Sequence, residues 1–295
     1  MSVPSKPLAY GIVRGEPIAD YHATDCVGHS KLEEFRDKDR GPARFYGKNI
    51  AKTIPRGEPT AAMDTGNCVD ALVLEKRTIF AELPETYRDE KGVEKKFTMA
   101  SNACKATAAA IVAAGLIPLK SEEAAAVREM NAAVFANPTL AELFSIGEPQ
   151  VTMRRNLGVF SVQVRPDWWS PNRPEGACMV DLKTAEDMSQ FLKNRRAFGY
   201  DRQAALYREV ARLVLADAAG TNIDEIPAPA WFFAVVFKTP PIQAVCFQIS
   251  DEDMAAATDE VVDDLRMIKR AYETEEWPGV PAGVVTLPKL WRERE

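Results

Sequence analysis

The chain has 295 residues, of which 46% are hydrophobic and 27% charged, with a formal net charge of −6 and a pI near 5.3. That is ordinary globular composition with enough apolar material for a substantial core. The acid excess excludes a protein that coats nucleic acid with its whole surface, but not one with a local basic channel. No apolar run approaches the ~20 residues needed to cross a bilayer, and the start MSVPSKPLAYGIVRGEP lacks the basic-then-apolar layout of a secretion signal. A cytoplasmic protein with no membrane partner is expected.

Five scattered cysteines, Cys26, Cys68, Cys104, Cys178 and Cys246, form no C-x-x-C pair. They read as thiols of a reducing compartment rather than as disulfides, a zinc site or an iron–sulfur cluster. With only His22 and His29 in the chain, a His-rich metal centre is excluded. Any metal must sit mainly on carboxylate oxygens, which selects magnesium, manganese or calcium.

No Pro/Gly/Ser-rich linker separates distinct halves and no repeat is visible, so a single domain over residues 1–295 is expected, with an irregular segment at 1–60, a helical part at 61–145 and a core at 146–295. Within the first segment one helix is predicted over Ser30–Asp39, led by a capping serine. Asp64–Glu75 reads as a helix, with Cys68, Ala71, Leu72 and Leu74 favouring one side. A polar insertion (Glu85–Lys96) precedes two alanine-rich helices, Met99–Ala114 and Ser121–Ala136, and Asn137-Pro138 starts a third as N-cap and first-turn proline. The pattern then turns to strands. Gln150–Arg154 and Val159–Arg165 flank a hairpin turn at Arg155-Asn156-Leu157-Gly158, and Ala177–Leu182 is a further short strand. Helices Met188–Arg196 and Tyr200–Ala216 follow, then strands Trp231–Phe237 and Ile242–Ile249, and a helix over Asp251–Thr274. Helices around a central group of strands predict an α/β (α+β) fold, a mixed sheet flanked by helices.

The chemistry concentrates at Pro166-Asp167, then thirteen residues, then Asp181-Leu182-Lys183. Asp167 is expected to close one strand and Asp181 and Lys183 to lie on the next. Alternation places residues 181 and 183 on one face and Leu182 on the opposite, buried one. Two carboxylates and an ammonium then converge at a sheet edge. Asp167 and Asp181 would hold a hard divalent cation, with the Leu182 carbonyl as a further oxygen, and Lys183 would orient water or stabilise phosphate charge. Solvated strand-end charges give the same pattern. In GYDRQAALY (Gly199–Tyr207), Gln203 and Tyr207 are four apart and share a helix face. An amide and a phenol there can bridge a phosphate or a water; the same spacing also describes a core helix with Tyr207 packed inside.

The order R-P-D, D-L-K-T, G-Y-x-x-Q-A-A-x-Y resembles the RecE (exodeoxyribonuclease VIII) branch of the RecB-like PD-(D/E)XK nucleases. Gly66–Glu75 is similar to that family's helix G-x-x-x-H-x-L-x-L-E at every position but one, and Glu276-Trp277-Pro278-Gly279 with Leu287-Pro288 is similar to its closing segment. The resemblance spans roughly residues 20–292. It implies a PD-(D/E)XK core with a helical N-terminal elaboration. It also implies Mg²⁺-dependent (or Mn²⁺-dependent) 5′-to-3′ digestion of linear double-stranded DNA from its ends, leaving 3′ single strands for an annealing protein in phage-type recombination, by a ring-shaped homo-oligomer. Two departures stand out. The family's first-motif histidine, a metal ligand, falls on Asp70, which either supplies an oxygen to the metal or is a structural replacement for a lost ligand. The glutamate that many relatives carry before R-P-D falls near Glu148 or Gln150.

Basic residues near these motifs, Arg154 and Arg155 at the hairpin and Lys193, Arg195, Arg196 and Arg202 around the Asp-x-Lys strand and the Gln203 helix, are candidates for backbone phosphates; a solvated helix face is the bland alternative. Trp168 and Trp169 either stack on bases near a frayed end or pack in the core. Three functions from different classes therefore stand at this point: an exonuclease, a DNA-binding or assembly protein that kept the fold without catalysis, and an endonuclease or repair nuclease.

Overall fold

The computed structural model describes residues 8–37, 41–55, 61–280 and 283–284. A strand β1 (Gly11–Val13) leads into helices α1 (Ile18–Ala23), α2 (His29–Arg36) and α3 (Gly41–Phe45), the last continuing as a π-helical turn over Tyr46–Ile50. Helix α4 (Ala61–Glu75) is followed by short strands β2 (Phe80–Glu82), β3 (Thr86–Arg88) and β4 (Glu94–Lys96), helix α5 (Asn102–Ala113), strand β5 (Ile117–Leu119), and helices α6 (Ser121–Ala136) and α7 (Pro138–Leu143). Strands β6 (Glu148–Pro149), β7 (Thr152–Asn156), β8 (Ser161–Val164), β9 (Trp168–Ser170) and β10 (Cys178–Ala185) come next, then α8 (Met188–Ala197), α9 (Tyr200–Ala219), a 3₁₀ turn, β11 (Ala230–Phe237), β12 (Ala244–Phe247) and α10 (Asp251–Thr274).

The fold is α/β. Five strands form the central mixed sheet in the order β12-β11-β10-β9-β6, and β1, β7 and β8 form a separate three-stranded antiparallel sheet. β10 and β11 are parallel over their whole length, with Asp181 opposite Phe233 and Lys183 opposite Val235. The period of two sorts their side chains onto two cores. Met179, Ala185, Trp231, Phe233 and Val235 pack under α9 and α10, while Cys178, Val180, Leu182, Ala234 and Val236 pack under α4, α6 and α7. A sheet covered on both faces reads as near-continuous apolar sequence, as AWFFAVVF in β11 does.

Several elements stand where the sequence puts them. α6 begins and ends at the expected residues, and the Asn137 side chain accepts from the Leu140 N–H at 3.2 Å, capping α7 ahead of Pro138. The N-terminal segment is more ordered than the largely irregular chain expected: besides α2, which overlaps the one helix expected there, its described residues carry a strand and two further α-helices, with Leu32, Phe35 and Phe45 buried. Its order comes from distant partners. Phe45 stacks on Trp277 with ring centroids 5.6 Å apart, and Ala43 N–H donates to Pro278 O. The polar insertion is a β3–β4 hairpin whose turn is fixed by Asp89 Oδ1 accepting from the Lys91 and Val93 amides. The first hairpin strand starts at Thr152 rather than Gln150, because Gln150 sits in the left-handed region at φ 49°. Asp39 and Leu287-Pro288 lie outside the described residues. All five cysteines are free. Among the described residues no helix is long and apolar enough to cross a membrane.

Candidate active site

β9 pairs with β10 only over Cys178–Val180. From Asp181 onward β10 has β11 on one side and, among the described residues, no strand on the other, so a local edge opens inside the sheet. Asp167 does not close a strand, as the sequence suggested, but immediately precedes β9. Its Oδ2 accepts the Leu182 N–H at 2.7 Å, standing in for the missing strand. In a strand the N–H and C=O of one residue point to the same side, so the Leu182 carbonyl shares the side of Asp167.

Asp181 is 2% exposed. Its Oδ1 accepts from Gln203 Nε2 at 2.8 Å, and its Oδ2 lies 2.5 Å from Lys183 Nζ, with no hydrogen-bond partner. Lys183 Nζ also lies 4.9 Å from the centroid of the Tyr200 ring, within cation–π range. Gln203 and Tyr207 occupy the α9 face turned toward β10, and Tyr207 packs edge-on against Trp231 at 5.5 Å. Asp70 is half-buried on α4, which packs on the opposite face of the sheet from α9.

Electrostatics ties these groups together. Burial raises Asp70 to about 7; Asp181 and Glu75 add repulsion, and Lys183 opposes them. Burial also pushes Asp167 well above the usual carboxylate range, reinforced by Asp181 and Asp70 against the pull of Lys183 and the Leu182 amide. Burial alone would lower Lys183, but Asp181 and Asp167 outweigh it and hold the ammonium above the ordinary lysine value. Tyr200 is raised by burial with Lys183 opposing, and burial drives Tyr207 far up. Three mutually repelling carboxylates and one cation in a poorly solvated place form a site short of positive charge. Among the described residues no three His, Cys, Asp or Glu side chains are gathered closely enough to hold a metal ion as they stand. The donor set is nevertheless one for a hard cation, all oxygen, and Asp181 Oδ2 is a buried acceptor without a hydrogen bond.

A cleft of about 780 Å³ opens onto this centre, lined by Lys183, Tyr200, Gln203 and Tyr207 from one side and by α2 and the π-helical turn from the other. His29, Lys31, Glu33, Glu34, Lys48 and Asn49 on that second wall carry no motif, and an N-terminal segment read as irregular gave no reason to single them out. Glu34 takes both Lys48 and Asn49, and His29 Nε2 lies 3.1 Å from Gly199 O.

Most of the expected phosphate-binding cations lie elsewhere or are already engaged. Arg154 is buried at 1% exposure, bonded to Glu16, Gln163 and Ala9 O, and cannot reach a phosphate. Arg155 pairs with Asp217, fourteen residues beyond Gln203 on α9 and so about 20 Å from it along the helix. Arg195 is held bidentately by Asp201 and again by Asp253, and Arg202 by Glu33 and Glu260. Lys193 and Arg196 remain exposed. Trp168 and Trp169 are core residues at 8% and 0% exposure, not stacking surfaces. Neither candidate before R-P-D turns to the centre: Glu148 forms an exposed pair with Arg14, and Gln150 Oε1 accepts from Arg165.

No curated protein matches the chain in sequence. Among solved structures, the crystal structure described as "Putative exonuclease" from Eubacterium rectale is similar, with a TM-score of 0.59 and 16% identity over 94% of this chain and 96% of that one. At that identity the likeness is one of fold. The family described as a PDDEXK-like domain of unknown function (DUF3799) matches residues 29–286. The sheet that parts at Asp181, its acidic residues and that match agree: the chain belongs to this PDDEXK-like family and has the PD-(D/E)XK nuclease fold.

Proposed function

We propose that the chain is a metal-dependent deoxyribonuclease, acting as a 5′-to-3′ exonuclease on linear duplex ends in the manner of the RecE branch it resembles. The observation that carries the reading is the junction of Asp167, Asp181, Lys183 and Gln203 where β9 leaves β10. Asp70, Asp167, Asp181 and the Leu182 carbonyl would hold Mg²⁺, or Mn²⁺ in its place. When bound, the cation polarises a phosphoryl oxygen and lowers the pKa of a water. The chain's own residues do the rest. The Leu182 backbone amide holds Asp167 Oδ2 and the Gln203 side-chain amide holds Asp181 Oδ1, while Asp181 Oδ2, buried against Lys183, has no hydrogen-bond donor of its own. Lys183, charged and steadied over Tyr200, neutralises the phosphate or orients the attacking water.

The wider resemblance adds a homo-oligomeric ring and a single-strand annealing partner in phage-type recombination, both proposals at the same level. The test compares linear duplex labelled at its 5′ or 3′ end with closed circular DNA, in Mg²⁺ and in EDTA. Loss of 5′ label from linear DNA only, and only with metal, is the expected result. Cutting of closed circles points to an endonuclease. Binding without cleavage under every metal condition leaves a DNA-binding protein of nuclease fold and ends the proposal.

A further inference from the structure

The sequence Phe198-Gly199-Tyr200 joins α8 to α9 at the mouth of the cleft. Gly199 is buried and in the left-handed region at φ 62°, where a Cβ would be strained and would have to displace the Arg202–Glu33 pair, so glycine is favoured. Its carbonyl accepts the Gln203 amide and faces His29. The joint is therefore fixed, and it sends its two aromatic neighbours to different places. Tyr200 goes under Lys183, half-buried. Phe198 lines the cleft but is 56% exposed.

Phe198 is braced from behind. Its centroid lies 6.1 Å from that of Tyr200, Tyr200 lies 6.1 Å from Phe191, and Phe191 stacks on Phe247 at 5.0 Å. A row of aromatics thus runs from the core to the surface and ends on an uncovered ring beside Lys183. Charge does not offer the same opportunity here. The net charge is −6, Lys183 is on Asp181, Lys48 on Glu34, Arg202 on Glu33 and Glu260, and Arg195 on Asp201 and Asp253. An entering strand therefore meets the exposed Phe198 ring where most of the nearby cations are committed, with Lys193 and Arg196 exposed on the preceding helix. Every base has a π-face, so such a ring serves any sequence.

We propose that Phe198 is a stacking platform for the exposed terminal base of a nucleic-acid strand entering the Lys183 cleft. The proposal rests on the nuclease reading for its choice of ligand. Because most of the nearby cations are committed, binding depends weakly on salt: with Lys193 and Arg196 as phosphate contacts, the log–log salt slope is about −1.4 at about −0.7 per single-strand contact.

The test measures binding of a single-stranded oligonucleotide by fluorescence anisotropy in EDTA, using the full chain, with the terminal nucleotide either intact or abasic at each end in turn. Wild type is expected to bind the intact strand about tenfold more tightly than Phe198→Ala. Phe198→Trp should restore the affinity, and the abasic strand should bind wild type and Phe198→Ala equally. Equal binding of the intact strand by wild type and Phe198→Ala, no measurable binding by wild type, or a change in oligomeric state as the only effect of Phe198→Ala overturns the proposal. Digestion in Mg²⁺ is scored separately. Base-dependent binding without digestion leaves the platform and removes the nuclease; digestion with no effect of the abasic end does the reverse.

Discussion

Two buried charges on strands make an instructive pair. Arg154, on β7, and Asp181, on β10, are 1% and 2% exposed. Each faces an opposite charge, Glu16 for the first and Lys183 for the second. Arg154 is fully answered: Nε goes to Gln163, Nη1 to Ala9 O, and Nη2 to both Glu16 and Gln163. Asp181 is not. One oxygen has an amide, the other has only an ammonium, and Asp70 and Asp167 press further negative charge on the same place. A buried charge whose partners are complete is scaffold. One left with like-charge neighbours is where the proposed cation would sit.

The largest test of this contrast is Asp181→Asn. If the Asp181 group is chemical, metal-dependent digestion of linear DNA falls on the order of 10³-fold, while the thermal unfolding midpoint in EDTA holds or rises. A variant that loses stability in step with activity would return Asp181 to the scaffold. Lys183→Ala should cost activity on a similar scale without raising stability, since it leaves Asp181 unanswered.

Next is Gln203→Ala, which removes the support of Asp181 Oδ1. Supporting residues of this kind are worth roughly 10–100-fold in metal affinity or activity. Titration with Mg²⁺ should show the loss chiefly as a higher metal requirement.

A third test uses pH. Asp70, with a folded pKa near 7 against about 3.9 unfolded, keeps its proton in the fold where the unfolded chain has lost it. Its contribution is therefore present below the unfolded value and lost as pH rises from about 4 to about 7. Metal-free Asp70→Asn should be the more stable protein above pH 7, on the order of 1–3 kcal/mol by urea unfolding, and wild type should close the gap when Mg²⁺ is added. Equal stability of the two at pH 8 would remove Asp70 from the group.

On the scaffold side, Arg154→Leu should destabilise by about 3–5 kcal/mol, since it strands Glu16 and Gln163, yet leave activity per folded molecule unchanged. Arg155→Ala, one residue on, should change stability by about 0.5 kcal/mol or less and leave DNA affinity as it is. A large affinity loss in Arg155→Ala would reopen the hairpin as a contact surface.

Adjacent Arg154 and Arg155 show what the sequence could and could not convey. Their place at the hairpin near the motifs makes both candidates for phosphate, and only the observed strand over Thr152–Asn156 shows that Arg154 points inward and Arg155 outward. Alternation served well at Asp181, Leu182 and Lys183, where residue identity and period agree. The position of Asp167 was less legible, because a three-residue strand such as Trp168–Ser170 is too short to show a period. The cleft wall was least legible. α2 and α3 owe their order to Trp277 and Asp264, and no local pattern reports a partner that distant.

That wall also has a kinetic consequence. Arg36, at the end of α2, and the buried Asp264 that receives it are 228 positions apart. Contacts of such sequence separation carry a closure cost that rises only slowly with length, but a fold that depends on them forms more slowly. The Asp181 edge is built from β9, β10 and β11, whereas the second wall of the cleft is held in part by α10. The acidic centre and the wall that faces it are thus tied into the fold over very different sequence distances, 15 positions between Asp167 and Leu182 against 228 between Arg36 and Asp264.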